Sequence, residues 1–318
     1  MSRSLIKFLY FTSIVLFTAC SKDESPFLTK EQAEKEIKDI NTSRDPFHYV
    51  NDVVAIINND IYYFSSLDSL PKRLTNTPSA VKTQVKLSHD KSQIAYINAA
   101  GNPVIIHADN GATITTLTQY NYIDQMDWAK DRLTLYMLSG NQVSFYGNAP
   151  VIQQPEITHP YDDVKSFSMN ALGDQGYYIK NYGDFWAHME YHSTSKGMDT
   201  QYTNFDGDIY DYVDFYDNRG NFLVGITDSY SGGMEKIACI QNYQFYPAYT
   251  WDDELMNTPT FNASTEVLLY GTLESTPYKL KAVYLGTDLY QSSGSYDVLS
   301  KVLDDYPSST KIYVDWVQ

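Results

Sequence analysis

An all-β fold built from a repeated four-stranded unit is predicted by three observations. Short apolar or aromatic runs separated by Gly, Asn, Asp, Ser and Pro fill the chain from residue 46 onward, which is the pattern of strands and turns rather than helices. The 29 Tyr and 14 Phe stand against only 8 Met, and Tyr suits strands and wet surfaces because it joins an apolar ring to a polar tip. One phrase, an apolar strand ending at a polar turn and followed by a strand of β-branched or aromatic residues, recurs six times. The 318 residues are 43% hydrophobic and 19% charged, enough apolar material for a core, which excludes a disordered or collagen-like chain.

The first element is an address. Arg3 and Lys7 precede an apolar run over 8–17, and Thr18 and Ala19 stand immediately before Cys20. A basic start, an apolar stretch too short to span a bilayer and a small-residue cleavage point make a secretory signal over 1–19. A cleavage point followed directly by Cys resembles that of bacterial lipoproteins, although Phe17 stands where an aliphatic residue is usual. The resemblance implies that Cys20 becomes the lipidated first residue of the mature chain, held in the outer membrane by acyl chains at ~0.8 kcal/mol per buried methylene. Ser21, Lys22, Asp23 and Glu24 resemble the lysine-plus-acid export tag of surface-exposed lipoproteins of Bacteroidota, which implies exposure at the cell surface. As a plain linker start, the same four residues would leave the protein facing the periplasm. Loss of Arg3 and Lys7 takes the net charge from −16 to −18, so anionic head groups repel the mature protein and the lipid alone holds it.

Cys239 is then the one remaining cysteine, so no intramolecular disulfide is expected; within KIACI it reads as a small buried hydrophobe. Residues 20–50 form a lidding or spacing linker with a short helix over 29–40, where Thr29 and Gln32 make a capping box and Ala33, Ile37 and Ile40 a thin apolar stripe. The repeat follows. Copies fall at 85–97, 125–137, 165–179, 213–226 and 259–271, and a sixth is split between 312–316, with its first half, and 53–64, with its second. Aligning Ser88, Trp128, Ser168, Tyr216, Phe261 and Trp316 gives intervals of 40, 40, 48, 45 and 55 residues, the size of propeller blades. The expectation is a six-bladed β-propeller over 51–318, in which the C-terminal strand joins the blade begun at Val53 and so removes the exposed edges.

The phrases KRLTN (72–76), LSHDKSQIAYI (87–97), IIHADNG (105–111) and TLTQ (116–119) resemble the repeat of TolB-type propellers. Leu87 and His89 replace that family's tryptophan and proline, and the copies after residue 165 keep only the strand rhythm. The N-terminal α/β domain of TolB-type chains has only the short helix in its place. The resemblance, over about 53–318, implies the architecture, and for function it points towards protein partners.

Chemistry is sparse by comparison. A net charge of −16 excludes a nucleic-acid footprint. Neither a G-x-S-x-G nucleophile elbow nor a phosphate-binding G-x-x-x-x-G-K-[ST] loop occurs, and no cofactor is expected. His188, Glu190 and His192 alternate along one strand and could ligate a metal, but they read first as polar residues of a solvent-facing edge. Asp206, Asp208, Asp211 and Asp214 could offer oxygens to calcium, but their spacing is not that of an EF-hand and the run reads as a Gly-containing turn with solvated acids. Aromatic loops at 119–128 and 242–254 offer flat, rigid contact area, with packing between blades as the alternative. Tyr243, Phe245, Tyr246, Tyr249 and Trp251 are the expected contact residues. The function expected is a non-catalytic envelope protein that binds a protein partner or a glycan through one propeller face. The alternative is a glycan hydrolase or lyase with carboxylates in the propeller channel.

Overall fold

The structure is a computed structural model, and it describes residues 45–129, 133–147, 162–169, 175–182, 187–193, 197–203, 209–215, 222–227, 234–241, 244–250, 256–262, 265–273, 276–284 and 299–317. The signal, Cys20, the tag of Ser21 to Glu24 and the helix expected over 29–40 lie outside the described residues. The strand-bearing compact unit is Pro46–Gln318 and opens with one 3-10 turn, Pro46–Tyr49. Phe47 and Val50 are already buried there, so the core begins slightly before the expected boundary at 51.

The strands run in short antiparallel meanders. They begin with β1 (Val53–Ile57), β2 (Asp60–Phe64) and β3 (Lys72–Arg73), then β4 (Lys82–Leu87), β5 (Gln93–Asn98), β6 (Pro103–His107) and β7 (Thr113–Thr116). Next come β8 (Gln125–Trp128), β9 (Leu135–Ser139) and β10 (Gln142–Tyr146), followed by β11 (Asp162–Met169), β12 (Gln175–Tyr182), β13 (Ala187–Ser193) and β14 (Gly197–Thr203). The last stretch holds β15 (Ile209–Phe215), β16 (Phe222–Thr227), β17 (Met234–Gln241), β18 (Gln244–Thr250), β19 (Met256–Asn262), β20 (Val267–Thr272), β21 (Tyr278–Tyr284), β22 (Leu299–Ser308) and β23 (Tyr313–Trp316). Among the described residues these make five sheets: β23-β1-β2-β3, β4 to β7, β8 to β10, β11 to β14, and an eight-stranded sheet from β15 to β22. The eight-stranded sheet is joined in its middle by the single pair Met234↔Met256 between β17 and β19.

β23 pairs antiparallel with β1, Val53 facing Trp316 and Ala55 facing Val314. Between sheets, β23 contacts β4, β4 contacts β8, β8 contacts β11, β11 contacts β15, β15 contacts β19, and β19 contacts β23.

Packing explains the composition of the strands. β1 is VVAII with every residue buried, a continuous apolar run rather than an alternating one, because the sheet is covered on both faces. Val53, Ala55 and Ile57 pack with Leu269, Leu280 and Ala282 of the C-terminal strands. Val54 and Ile56 pack instead with Val85, Ile94 and Val104 of the next sheet. Ala95, Ile97 and Ile105 then meet Met126, Trp128 and Leu135, and Tyr136 and Leu138 meet Val164 and Phe167. The core is thus a series of sandwiched layers between neighbouring sheets.

Register corrects the phase of the sequence repeat. The last pairs of the first hairpins are Leu87↔Ile94, Trp128↔Leu135, Met169↔Gly176, Phe215↔Phe222, Asn262↔Val267 and Trp316↔Val53. Trp128 and Trp316 are equivalent, as aligned, but Ser88, Ser168 and Phe261 are each displaced by one residue, and Tyr216 lies outside the described residues. Ser88 does not belong to the strand: its Oγ accepts the Gln93 amide at 2.9 Å and donates to Asp90 at 2.7 Å, which makes it the first residue of the turn. A one-residue slip exchanges the two faces of a strand, so the phase decides which residues share a face.

Where layers meet, space is tight. A Cβ on Gly271 would lie 2.5 Å from the backbone oxygen of Ile312, just before β23, and backbone cannot move aside as a flexible side-chain end can. Gly271→Ala is expected to cost about 1–3 kcal/mol by overpacking, seen as a lower midpoint in urea denaturation; an unchanged midpoint would show that the approach of the two strands is loose.

Candidate binding surface

By the register above, the penultimate positions of the inner strands are Lys86, Asp127, Ser168, Asp214, Phe261 and Asp315, one from each. Asp315 is buried and its two oxygens serve different partners: Oδ1 takes Lys86 Nζ at 3.0 Å and Oδ2 accepts the Leu87 amide at 2.8 Å. Asp127 Oδ2 accepts a long hydrogen bond from Ser168 Oγ at 3.4 Å. Gln125 lies two residues away from Asp127 on the same strand; its Oε1 accepts the Phe167 amide and its Nε2 donates to the Phe167 carbonyl, both at 2.9 Å. Trp128 Nε1 donates to the Lys86 carbonyl at 3.1 Å. These polar groups fasten β23 to β4, β4 to β8 and β8 to β11. The signal for them in the sequence, one charged or polar residue just before the strand-ending apolar residue, becomes visible only once the phase is right.

At the opposite end of β4, a second polar cluster builds the crossover between the first two sheets. Asp60 is buried, accepts Thr75 Oγ1 at 2.9 Å and the Thr77 amide at 2.8 Å, and is paired with Arg73. Burial alone would raise its pKa, but the hydrogen bonds from Thr77, Arg73 and Thr75, with the Arg73 charge, outweigh it and hold the carboxyl below the usual range. Lys82 Nζ sits in an oxygen cage, donating to Asn59 O at 2.6 Å, Thr77 Oγ1 at 2.8 Å and Ala80 O at 3.1 Å. Burial pushes its pKa down, partly offset by the Asp60 charge. Because Asp60 has its folded pKa below the unfolded 3.8, its contribution is present above that value and is lost as pH falls through the folded pKa. Asp60→Asn is therefore expected to melt below the wild type at pH 6, with the gap closing towards pH 2.5; a gap that stays constant with pH would refute the linkage.

Three of the expected contact residues, Phe245, Tyr246 and Tyr249, lie within the described residues. Residues 244–250 form β18, a strand on β17 rather than a loop, with Pro247 opposite Ala238; proline is tolerated there because, among the described residues, β18 pairs with β17 alone. Tyr246 faces Cys239, Tyr249 faces Ile237 and Phe245 faces Ile240, while Tyr243 and Trp251 lie outside the described residues. His188, Glu190 and His192 do alternate along one strand, but β13 is hydrogen-bonded to both β12 and β14 and is not an edge. Asp211 and Asp214 belong to β15 and not to a turn, Asp211 being skipped in the register with β16, and Asp206 and Asp208 lie outside the described residues. In the other aromatic segment, Trp128 is buried and Tyr120 donates to the Phe145 carbonyl at 3.1 Å, so both are packing residues. Tyr122 alone of that segment's aromatics is freely displayed, at 82% exposure.

No protein-family model matches the chain, and no curated protein sequence matches it. Among solved structures, TolB from Acinetobacter baumannii is similar with a TM-score of 0.57 at 14% identity, over 90% of this chain and 72% of that one. A chain of a nidogen/laminin complex gives a TM-score of 0.58 at 9% identity, over 83% and 97%. At these identities the likeness concerns the fold, and it is that of a β-propeller.

Proposed function

We propose that this β-propeller is the binding module of a lipid-anchored protein of the bacterial outer membrane, with six blades, the first completed by β23, and that it is non-catalytic. The observation that carries the non-catalytic reading is the use of Asp315: both oxygens of this inner-row carboxylate are committed to Lys86 and the Leu87 amide. A glycan hydrolase would need such carboxylates free and paired across a substrate. The six-blade reading is supported by the weak Met234↔Met256 join, which divides the eight-stranded sheet into β15 to β18 and β19 to β22, and by the cycle of six inner strands.

The ligand is a protein or glycan of the envelope. The TolB-like fold favours the former, and the aromatic residues Tyr243, Phe245, Tyr246, Tyr249 and Trp251 suit either. Membrane attachment rests on Cys20 and surface display on Ser21, Lys22, Asp23 and Glu24. Cys20→Ser is expected to move the protein out of the membrane fraction, and replacement of Lys22, Asp23 and Glu24 by Ala to protect it from external protease in whole cells. Binding is tested by capture of envelope proteins and by glycan screening with the full chain in detergent, beside a Tyr249→Ala, Trp251→Ala double variant. Unchanged binding by the folded double variant would remove this segment from the site, and glycan cleavage by the wild type would overturn the non-catalytic reading.

A further inference from the structure

The crossover from β7 to β8, residues 117–124, presents one aromatic ring to solvent on a backbone that is held in an unfavourable conformation. Tyr122 has φ 56°, in the left-handed region that side-chain-bearing residues avoid, and it is neither glycine nor the Asn or Asp that tolerate that region best. Such a conformation persists only where the surroundings enforce it, and it collects at sites of function. Here the enforcement is visible on both sides of Tyr122. Asn102 Nδ2 donates to Tyr120 O at 2.8 Å, Ser139 Oγ donates to Tyr122 O at 3.2 Å, the Asp124 amide donates to Leu138 O at 2.8 Å, and Asp124 Oδ2 accepts the Gly140 amide at 2.7 Å. Gln84 adds a side-chain amide bond to the Asp124 carbonyl. Gly101 lies so close beneath that a Cβ there would be 3.2 Å from the Tyr122 nitrogen. Ile123 and Met126, just after, are buried and anchor the crossover in the core. All of this order serves a ring that is 82% exposed and makes no contribution to the core.

The surroundings indicate what the ring receives. The neighbouring turns, 99–102 and 140–141, are Ala-Ala-Gly-Asn and Gly-Asn, without a charged side chain, and the crossover's single acid, Asp124, is capped by the Gly140 amide. A rigid exposed ring among amides and backbone groups, on a chain of net charge −16, suits a neutral sugar. Its C–H face stacks on the phenol ring and its hydroxyls bond to amides, whereas an anionic glycan would be repelled. We propose that Tyr122 is the stacking platform of a site for neutral carbohydrate, an assignment that rests on the binding-module reading above, gives it a ligand class and adds a contact place separate in sequence from 243–251.

The full chain in detergent is screened against neutral oligosaccharides (xylo-, manno-, malto-, cello- and galacto-oligosaccharides) and against uronate-containing ones. The expected result is binding to at least one neutral series, a tenfold or greater loss of affinity in Tyr122→Ala, and retention within about threefold in Tyr122→Phe and Tyr122→Trp. Tyr122→Gly separates the ring's role from folding: relief of the backbone strain should raise the melting temperature while binding is lost, which a merely structural tyrosine would not do. Binding of no neutral series, preference for the uronates, or undiminished binding by folded Tyr122→Ala would each overturn the inference. Capture of an envelope protein without neutral glycan binding would also overturn it, yet leave the binding-module reading standing.

Discussion

A chain lacking residues 312–318 is expected not to fold cooperatively. The deletion removes β23 and with it the ladder to β1, from Val53↔Trp316 to Ile56↔Tyr313. It also takes out Ile312, Val314, Trp316 and Val317, all buried. At about 1.5–3 kcal/mol for each buried apolar side chain, these four weigh as much as the ~5–15 kcal/mol by which a whole domain is stable. The loss would uncover the inner edge of β1, whose five residues are apolar throughout, and such an edge pairs readily with other chains. Circular dichroism should show no sharp thermal transition, and sedimentation should show aggregates. A truncated chain that melts as sharply as the full one, within a few degrees, would refute the role given to β23.

The second large effect is expected from Asp315→Ala. The substitution leaves Lys86 Nζ and the Leu87 amide without the carboxylate that they share, in a place where Asp315 is 5% exposed. Removing the acceptor of the buried Leu87 amide costs about 1–3 kcal/mol, and the ion pair to Lys86, whose side chain is 18% exposed, is lost with it. Chemical denaturation should show this loss, and Asp315→Asn, which keeps a carbonyl oxygen as acceptor, should lose less. The combination Asp315→Ala, Lys86→Met should recover part of the loss, because the charge that Asp315 balanced is gone. If the double variant loses as much as the sum of the singles, the pair is not a unit and the seam between β23 and β4 is held by packing alone.

The sequence makes the strands readable because their cause is local. Runs such as 53–57 and 267–271 have no polar residue to place outward, and the turns between them carry Asn, Asp, Ser and Gly. The union of the chain's first and last strands was also readable, since 312–316 and 53–64 each held half of one phrase. Phase was not readable. Ser88 and Trp128 look equivalent in a list of residues, and only hydrogen bonding of the Ser88 hydroxyl back into its own turn shows that the strand ended at Leu87. Display of the rings was not readable for a related reason. Aromatic residues announce themselves in sequence, but whether a ring is buried, like Trp128, or displayed, like Tyr122, depends on strands that are distant along the chain. Residues 244–250 read as part of an aromatic loop, yet they form the strand β18 paired with β17.

The pairing of Val53 with Trp316 also sets an order of events in time. Hairpins such as Leu87↔Ile94 can form as soon as some dozen residues are available, whereas the first sheet must wait for the far end of the chain. Until β23 arrives, β1 has a partner on one side only, so a nascent or interrupted molecule carries an adhesive border that the finished one lacks. A chain cut before β23 thereby exposes a border that this pairing conceals.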